Sequence, residues 1–110
     1  MGSGQGNTNI VILINRFEVP AGREEEFLRM FREVNNFMRG RPGYRGHKLH
    51  RSLAPDAAYR FVNVVTWASE AEFKAAHGAE FRAMVSRPEW AEFRAHPGLY
   101  EVVHDGEAGK

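Results

Sequence analysis

The sequence predicts one α+β domain with the element order β-α-β-β-α-β. Segments rich in Ile, Val and aromatic residues are typical of strands, and apolar residues recur at helical spacing in the stretches between predicted strands. The chain has 110 residues, of which 43% are hydrophobic and 26% charged. This length and composition are typical of a globular protein with one hydrophobic core.

The first strand is predicted over Asn9–Val19, where Ile and Val dominate until Pro20. A helix is expected over Arg23–Arg39, because its apolar residues form one stripe and Glu24–Glu26 favour its N-terminus. Glycine and proline at residues 40–43 end this helix.

Two further strands, Tyr44–Leu53 and Tyr59–Trp67, are predicted to form a hairpin around a turn at residues 54–57. Ser69 and Glu72 then make a capping box, in which each side chain bonds to a backbone N–H of the other. This box opens a short helix that ends near residue 77, where glycine follows.

The last quarter of the chain is predicted to continue helically and to finish in a strand. A helix is expected over Ala79–Val85, and Ser86 with Glu89 makes a second capping box that opens a last helix. We expect that helix to end near Pro97-Gly98 and the fourth strand to span Leu99–His104.

This order specifies a ferredoxin-like split βαβ fold, a four-stranded antiparallel sheet with helices on one face. The folded domain is expected over residues 9–104. A disordered N-terminal arm at residues 1–8 precedes it, and a flexible tail at residues 105–110 follows it.

The first and third predicted strands are apolar on both faces. Ile12 and Ile14 alternate with Val11 and Leu13 along the first strand. Helices can cover only one face of the sheet, so we expect the other face to join two copies of the chain in a homodimer.

Composition excludes several classes of function. Fifteen basic and fourteen acidic residues leave a net charge of +1 without a basic stripe, so nucleic-acid binding is not expected. The chain has no cysteine, which excludes thiol nucleophiles and cysteine-bound metals. The longest apolar run, Ile10–Ile14, is too short to cross a membrane, and no signal peptide precedes it, so we expect a soluble cytoplasmic protein.

Polar side chains on apolar strands are the first candidate site residues. Asn63 shares a strand face with Phe61 and Trp67, and its amide is costly to bury unless something bonds to it. Either a neighbouring protein group satisfies it, or Asn63 and Trp67 line a cavity between sheet and helices. Asn15 repeats the pattern on the first strand, on the face of Leu13, with a bulge or turn as the alternative.

Histidine and arginine supply the other candidates. No two of the five histidines have the i, i+4 helical spacing of a zinc site. His77 either complements a helix C-terminus or reaches a pocket as a proton acceptor, and His47 or His50 could take that role. Arg87 is either solvated or the partner of an anion or enolate. His96, beside a proline, is expected in a loop.

The segment Val62–Glu70 (VNVVTWASE), followed by Phe73, resembles the third strand and helix start of the antibiotic biosynthesis monooxygenase superfamily. Residues 20–27 (PAGREEEF) and 41–44 (RPGY) are similar to the start of its first helix and the entry to its second strand. The resemblance covers Ile10–Val103. It implies a dimeric α+β barrel, in agreement with the two apolar faces.

One branch of that superfamily, the cofactor-independent anthrone oxygenases, has an asparagine and a tryptophan that match Asn63 and Trp67. It also has an arginine at the spacing of Arg87. Phe73 stands where those enzymes have tyrosine, so a phenolic hydroxyl is missing there.

A second branch degrades haem and has an asparagine that matches Asn15. Its characteristic tryptophan falls on Ala76 of this chain, and its haem-ligating histidine falls near Val85 and Ser86. The haem branch therefore matches at one residue and departs at two.

The resemblance implies a cofactor-independent monooxygenase that oxidises a phenolic or anthrone-like polyketide intermediate with O2 in antibiotic biosynthesis. An enolate can hand an electron to O2 itself, so neither metal nor flavin is required. Asn63 and the Trp67 N–H would hold the substrate oxygen, Arg87 would stabilise negative charge and His77 would accept the proton. The alternatives are a haem-binding or haem-degrading monooxygenase and a non-oxidative cyclase or ligand-binding dimer. The expected substrate-binding residues are Asn15, Phe31, Phe61, Phe73, Trp90 and Phe93.

Overall fold

The computed structural model describes residues 10–109, and its elements follow the predicted order. The strands are β1 (Val11–Glu18), β2 (Tyr44–Arg51), β3 (Phe61–Trp67) and β4 (Arg94–Tyr100). The helices are α1 (Glu24–Met38), α2 (Glu70–Ala76) and α3 (Ala79–Val85), followed by a short 3₁₀ helix over Pro88–Glu92. The predicted arm at residues 1–8 and Asn9 lie outside the described residues. Residues 101–109 are exposed and form no helix or strand.

The four strands form one antiparallel sheet in the order β2-β3-β1-β4. The two central strands pair from Val11 opposite Trp67 to Phe17 opposite Phe61. Every second residue of β3 is buried, which is the pattern of a strand with one face against the helices. The structure therefore confirms the α+β fold and the split βαβ order.

The core between sheet and helices consists of two clusters of buried side chains. The first, which we call the Trp67 cluster, lies at the α2 end of β3. The second, the Phe27 cluster, lies at the other end of the sheet around the first turn of α1. The Trp67 cluster contains Leu13, Met38, Val65, Trp67 and Ala76, and the Phe27 cluster contains Phe17, Phe27, Met30, Phe61 and Phe93.

The outer face of the sheet also carries apolar side chains. Ile12 and Ile14 on β1, and Val62 and Val64 on β3, remain partly exposed in the single chain. The predicted two-faced character of the central strands is therefore present in the folded protein.

The helix cap predicted at Ser69 is confirmed, and the second capping box is wrong. The Ser69 hydroxyl accepts a hydrogen bond from the Glu72 backbone N–H at 3.1 Å, as an N-cap does. The Ser86 hydroxyl instead donates to the Arg82 carbonyl one turn earlier, at 2.6 Å. The 3₁₀ helix begins after Arg87 without a side-chain cap, with proline at its first position.

The prediction that a last helix ends near Pro97-Gly98 is also wrong, because both residues lie inside β4. This strand begins at Arg94, opposite Glu18 of β1. Since β4 is an edge strand, a proline without a backbone N–H is tolerated there. The predicted fourth strand at Leu99–His104 is therefore displaced, and β4 ends at Tyr100.

The remaining loop prediction concerned His96, which lies on β4 and not in a loop. Its Nε2 atom is 2.7 Å from the Glu18 carboxylate on β1.

No helix within residues 10–109 is long and apolar enough to cross a membrane.

Candidate active site

A cavity of about 390 Å³ lies between the sheet and the helices, and this volume is typical of small-molecule sites. The helix-facing sides of β1 and β3 form one wall, and α1, α2, α3 and the 3₁₀ helix supply the others. Five phenylalanine and tryptophan rings from the helices and from the residue after the 3₁₀ helix line the cavity. They belong to Phe31, Phe73, Phe81, Trp90 and Phe93.

Two asparagines face each other across the central strands. Asn15 of β1 pairs with Asn63 of β3, and both side chains line the cavity. The Oδ1 atom of each is buried and accepts no hydrogen bond from any residue between 10 and 109. A buried polar atom without a partner costs about 1–3 kcal/mol, so these two oxygens suit a ligand that donates hydrogen bonds.

Two tryptophans bring buried N–H donors to the same space. Trp67 is fully buried, whereas Trp90 is half-buried. The Nε1 atoms of both are buried and lack an acceptor within the described part of the chain. We refer to Asn15 Oδ1, Asn63 Oδ1, Trp67 Nε1 and Trp90 Nε1 as the open polar atoms. They offer two acceptors and two donors inside aromatic walls, which fits an aromatic molecule with hydroxyl and carbonyl groups.

His77 lies at the end of α2 and lines the cavity beside Trp67 and Phe73. Its Nδ1 atom is 2.7 Å from the Phe73 carbonyl oxygen. A carbonyl only accepts, so Nδ1 carries the proton and Nε2 keeps a free lone pair. Burial lowers the pKa of His77 below 6.5, and the bond to Phe73 acts weakly in the opposite direction. The neutral imidazole can therefore accept a proton.

Both functions predicted for His77 are thus compatible with its position. It bonds to the last turn of its own helix and it reaches the cavity. The two histidines considered in its place differ from it. His50 bonds to the Val62 carbonyl at 3.2 Å on β3, and neither His50 nor His47 lines the cavity.

Sequence analysis missed a pair of residues at the start of β2. Tyr44 lines the cavity, and its hydroxyl oxygen lies 2.6 Å from His47 Nδ1 and 3.3 Å from Asn35 Oδ1. Residues three apart on a regular strand face opposite ways, but the register of β2 shifts between Tyr44 and His47. Gly46, with φ of 117°, provides the extra residue of this bulge. The glycine inside an otherwise regular strand was the available signal.

Eight of the ten predicted site residues line the cavity. The structure does not bring the other two to it. Arg87 lies on the surface, where its guanidinium donates to the Glu33 carboxylate at 3.0 Å and to the Met84 carbonyl at 3.2 Å. Phe61 belongs to the Phe27 cluster, where its ring stacks on Phe27 at 4.9 Å. The eight are Asn15, Phe31, Asn63, Trp67, Phe73, His77, Trp90 and Phe93.

With His77 neutral, the cavity lining carries no formal charge. Among residues 10–109, no Arg, Lys, Asp or Glu lines it. The same part of the chain contains no group of three or more His, Asp or Glu side chains placed to hold a metal ion. Recognition in this cavity therefore depends on neutral hydrogen-bonding groups and aromatic contact.

Comparison with known proteins identifies relatives of the whole domain. The sequence model of the family described as antibiotic biosynthesis monooxygenase matches residues 10–96. None of the curated proteins matches the chain. A candidate monooxygenase from Shewanella loihica PV-4 is 33% identical, with a TM-score of 0.78 over 91% of this chain and 100% of that one.

Two further solved structures represent different chemistries. SnoaB, a cofactor-independent oxygenase from Streptomyces nogalater, is 24% identical, with a TM-score of 0.74 over 88% of this chain and 96% of its own. At that identity the likeness shows the fold alone. A haem-degrading protein from Mycobacterium tuberculosis is 28% identical, with a TM-score of 0.65 over 90% of this chain and 97% of its own.

Proposed function

Because the chain belongs to the antibiotic biosynthesis monooxygenase family, we propose that it is a cofactor-independent monooxygenase. Its substrate is a phenolic or anthrone-like aromatic compound, such as a polyketide intermediate, and its oxidant is O2. The observation that carries this proposal is the set of open polar atoms inside an uncharged aromatic cavity. A flat molecule with both hydroxyl and carbonyl groups would satisfy all of them.

Asn63 and Trp67 bind the oxygen atoms of the substrate. The Asn63 carboxamide oxygen accepts from a phenolic hydroxyl, and the Trp67 N–H donates to a carbonyl that becomes an enolate oxygen. Donors that are fixed before the reaction stabilise developing negative charge most effectively in a water-excluded site. Trp67, with no exposed surface, meets that condition.

His77 removes the acidic C–H proton of the substrate. Its tautomer is set by the bond to Phe73, which leaves Nε2 as the accepting nitrogen. Its lowered pKa keeps the ring neutral near pH 7, which a general base requires. The electron pair of the broken C–H bond stays on the substrate, which becomes an enolate, and this enolate reduces O2.

The atoms and electrons of the reaction balance without another redox partner. The enolate and O2 form a C–O bond, and the peroxide takes up the proton that His77 removed. Loss of the second C–H proton then forms the product carbonyl as the O–O bond breaks. A substrate CH2 group and O2 thereby give a ketone and one molecule of water.

Arg87 has no part in this proposal in its observed position. It is paired with Glu33 on the surface, and neither residue lines the cavity. Stabilisation of the enolate therefore falls to the neutral donors, the indole N–H groups of Trp67 and Trp90.

Haem degradation is the second candidate, and the geometry of His77 favours it. A metal-ligating histidine usually donates its other ring N–H to a carbonyl or carboxylate, as His77 does to Phe73. The rest of the cavity does not fit haem. Within residues 10–109, the lining offers neither Arg nor Lys to pair with the two carboxylates of a porphyrin.

The homodimer is part of the proposed function. The partly exposed apolar side chains of Ile12, Ile14, Val62 and Val64 support it, because water contact with this face disappears when two sheets pack together. Light scattering on the purified protein is expected to give twice the mass of 12.5 kDa. A monomer at micromolar concentration would contradict this assignment.

Oxygen consumption tests the proposed activity. Purified protein, treated with a chelator and given a trihydroxyanthracenone, is expected to consume one O2 for each quinone formed. Trp67→Phe keeps an aromatic ring but loses the indole N–H, and it should reduce the rate. If the wild type consumes O2 no faster than the solution without protein, and a Soret band appears after haem titration, the result would instead support the haem candidate. Background uptake without such a band would leave a cyclase or a ligand-binding dimer.

A further inference from the structure

The hydroxyl group of Tyr44 links the cavity to a histidine behind its wall. Tyr44 and Asn35 line the cavity, whereas His47 lies outside the lining and is half-buried. The Tyr44 oxygen is 2.6 Å from His47 Nδ1 and 3.3 Å from Asn35 Oδ1. The Tyr44 ring packs edge-on against Trp67, with 5.6 Å between the ring centres.

The donors and acceptors in this chain of bonds determine its direction. A phenol has one proton, and the Asn35 carboxamide oxygen only accepts. The Tyr44 hydroxyl therefore donates to Asn35, and both bonds form together only when His47 carries its proton on Nδ1. The sequence of donors then runs from His47 through Tyr44 toward the cavity.

Burial favours the protonation states that this direction needs. It lowers the pKa of His47, so the ring is neutral near pH 7. It raises the pKa of Tyr44, although the charge of Arg39 acts in the opposite direction, so the phenol keeps its proton. Among residues 10–109, the other titratable side chain of the cavity lining is His77, whose ring also packs against Trp67.

The proposed reaction requires a proton donor that His77 does not supply. His77 Nδ1–H is bonded to Phe73, and Nε2 accepts the first C–H proton, returns it to the peroxide and accepts the second C–H proton as the O–O bond breaks, so at that step it is accepting and not donating. The hydroxide that leaves when the O–O bond breaks needs a proton from another group. No Arg or Lys within residues 10–109 lines the cavity to provide it.

We propose that Tyr44 is the proton donor of this cavity and that His47 positions and resupplies its proton, an inference that rests on the proposed function. The Tyr44 proton passes to the leaving hydroxide, which becomes water. The His47 Nδ1 proton moves to the Tyr44 oxygen while Nε2 takes a proton from water. The proton held by His77 returns to solvent, so charge is conserved, and proton exchange with solvent returns His47 to its Nδ1–H form before the next turnover.

Turnover of matched tyrosine variants tests this role. Tyr44→Phe keeps the ring against Trp67 and removes only the hydroxyl, so it should fold as the wild type does. It is expected to lower kcat by about 10²-fold while KM changes less than about threefold. Tyr59→Phe is the control, because Tyr59 contacts His96 at 5.2 Å but lies outside the cavity lining. A kcat for Tyr44→Phe equal to that of the wild type overturns the inference.

The ring nitrogens of His47 give a readout that a structural role would not move. In protein labelled with ¹⁵N-histidine, the signals lost in His47→Gln identify this ring. We expect neutral His47 to carry its proton on Nδ1 in the wild type and to change toward the Nε2–H form in Tyr44→Phe. An Nε2–H form in the wild type would mean that Tyr44 donates to His47, and it would overturn the direction of the relay.

The two proposals fail in different ways. An active wild type with a fully active Tyr44→Phe variant rejects the proton donor and keeps the monooxygenase. An inactive wild type rejects the monooxygenase, and the catalytic role of Tyr44 is rejected with it.

Discussion

The Phe27 cluster and the cavity beside Trp67 lie on the same face of one sheet, yet the cluster is apolar whereas the cavity contains the open polar atoms. The Phe27 cluster consists of apolar side chains, with the Phe27 ring 4.9 Å from both Phe17 and Phe61 and 5.5 Å from Phe93. The cavity beside Trp67 holds buried polar atoms that no residue between 10 and 109 satisfies. The Phe27 cluster therefore stabilises the fold. The unpaired polar atoms of the cavity lower the stability of the free protein at a place where a ligand can bind.

This difference has a physical basis in packing and hydrogen bonding. Each contact between close-packed rings stabilises the folded state, and removal of a ring lowers stability because it leaves unfilled volume. A cavity lined by unpaired amide and indole groups lowers stability in the free protein and regains it when the groups are paired. Substitutions in the two regions should therefore affect different measurements.

The largest effect is expected from Phe27→Ala. Phe27 has no exposed surface and contacts aromatic rings from β1, β3, α1 and the 3₁₀ helix region. Its loss should lower the free energy of unfolding by about 3–5 kcal/mol, measured by chemical denaturation. Leu53→Ala is the control, because Leu53 is 98% exposed. Equal losses for both variants would show that the Phe27 cluster does not hold the domain together.

A smaller effect is expected from Trp90→Phe, measured as ligand affinity. The substitution keeps an aromatic wall and removes one of the open polar atoms. A hydroxylated anthracenone should bind about two- to tenfold more weakly, as expected for the loss of one hydrogen bond. A hydrocarbon of the same ring system, which cannot accept a hydrogen bond, should bind both proteins alike. Equal affinity for the hydroxylated ligand would show that Trp90 Nε1 stays unpaired in the complex.

The pH dependence of stability should distinguish the effect of the buried histidines from that of the surface carboxylates. Burial lowers the pKa of His77 and of His47 in the folded protein, so the unfolded chain takes up their protons first. The contribution of these two histidines to the free energy of unfolding is complete above pH 6.5, and it is lost as the pH drops through their folded pKa values. Glu26 and Glu92, whose pKa values are lowered by bonds to arginine, lose their contribution only below 4.5.

His77→Gln should remove part of the fall that begins near pH 6.5 and leave the acidic limb unchanged. Thermal unfolding at a series of pH values measures it. A His77→Gln protein with the same slope as the wild type near pH 6 would show that His77 is not buried as a neutral ring.

The smallest effect on stability is expected from Asn63→Leu, although Asn63 is among the most buried polar residues. Leucine has a similar shape, and the lost oxygen has no partner among the described residues. The free energy of unfolding should stay within about 1 kcal/mol of the wild type or rise. Asn36→Leu, at an exposed position of α1, provides the comparison. A large loss would mean that the protein itself pairs Asn63.

Periodicity predicted the sheet because each central strand has an unmistakable buried face. Asn63 and Trp67 were predicted from that same periodicity, since a polar residue on an apolar strand is expensive without a purpose. The end of the chain was predicted less well. Pro97 and Gly98 usually interrupt structure, and only the sheet order shows that they lie on an edge strand, where a missing N–H does no harm.

The pairing of Tyr44 with His47 could not be predicted from spacing alone. A strand with period two places residues three apart on opposite faces, and the bulge at Gly46 reverses that outcome. Arg87 is the converse case, because it was predicted for the site and lies outside the cavity lining. Its position in the sequence matches an arginine of the anthrone oxygenases, but the side chain is held on the surface by Glu33, which is distant in sequence.

The most direct test of the central claim is oxygen uptake by Asn63→Leu beside the wild type, with the same anthracenone and without added cofactor. We expect kcat/KM to fall at least about tenfold while the free energy of unfolding stays within about 1 kcal/mol of the wild type or rises, because the Asn63 amide binds the substrate. Unchanged uptake by Asn63→Leu would show that the unpaired amide has no part in catalysis and would contradict the account of the cavity.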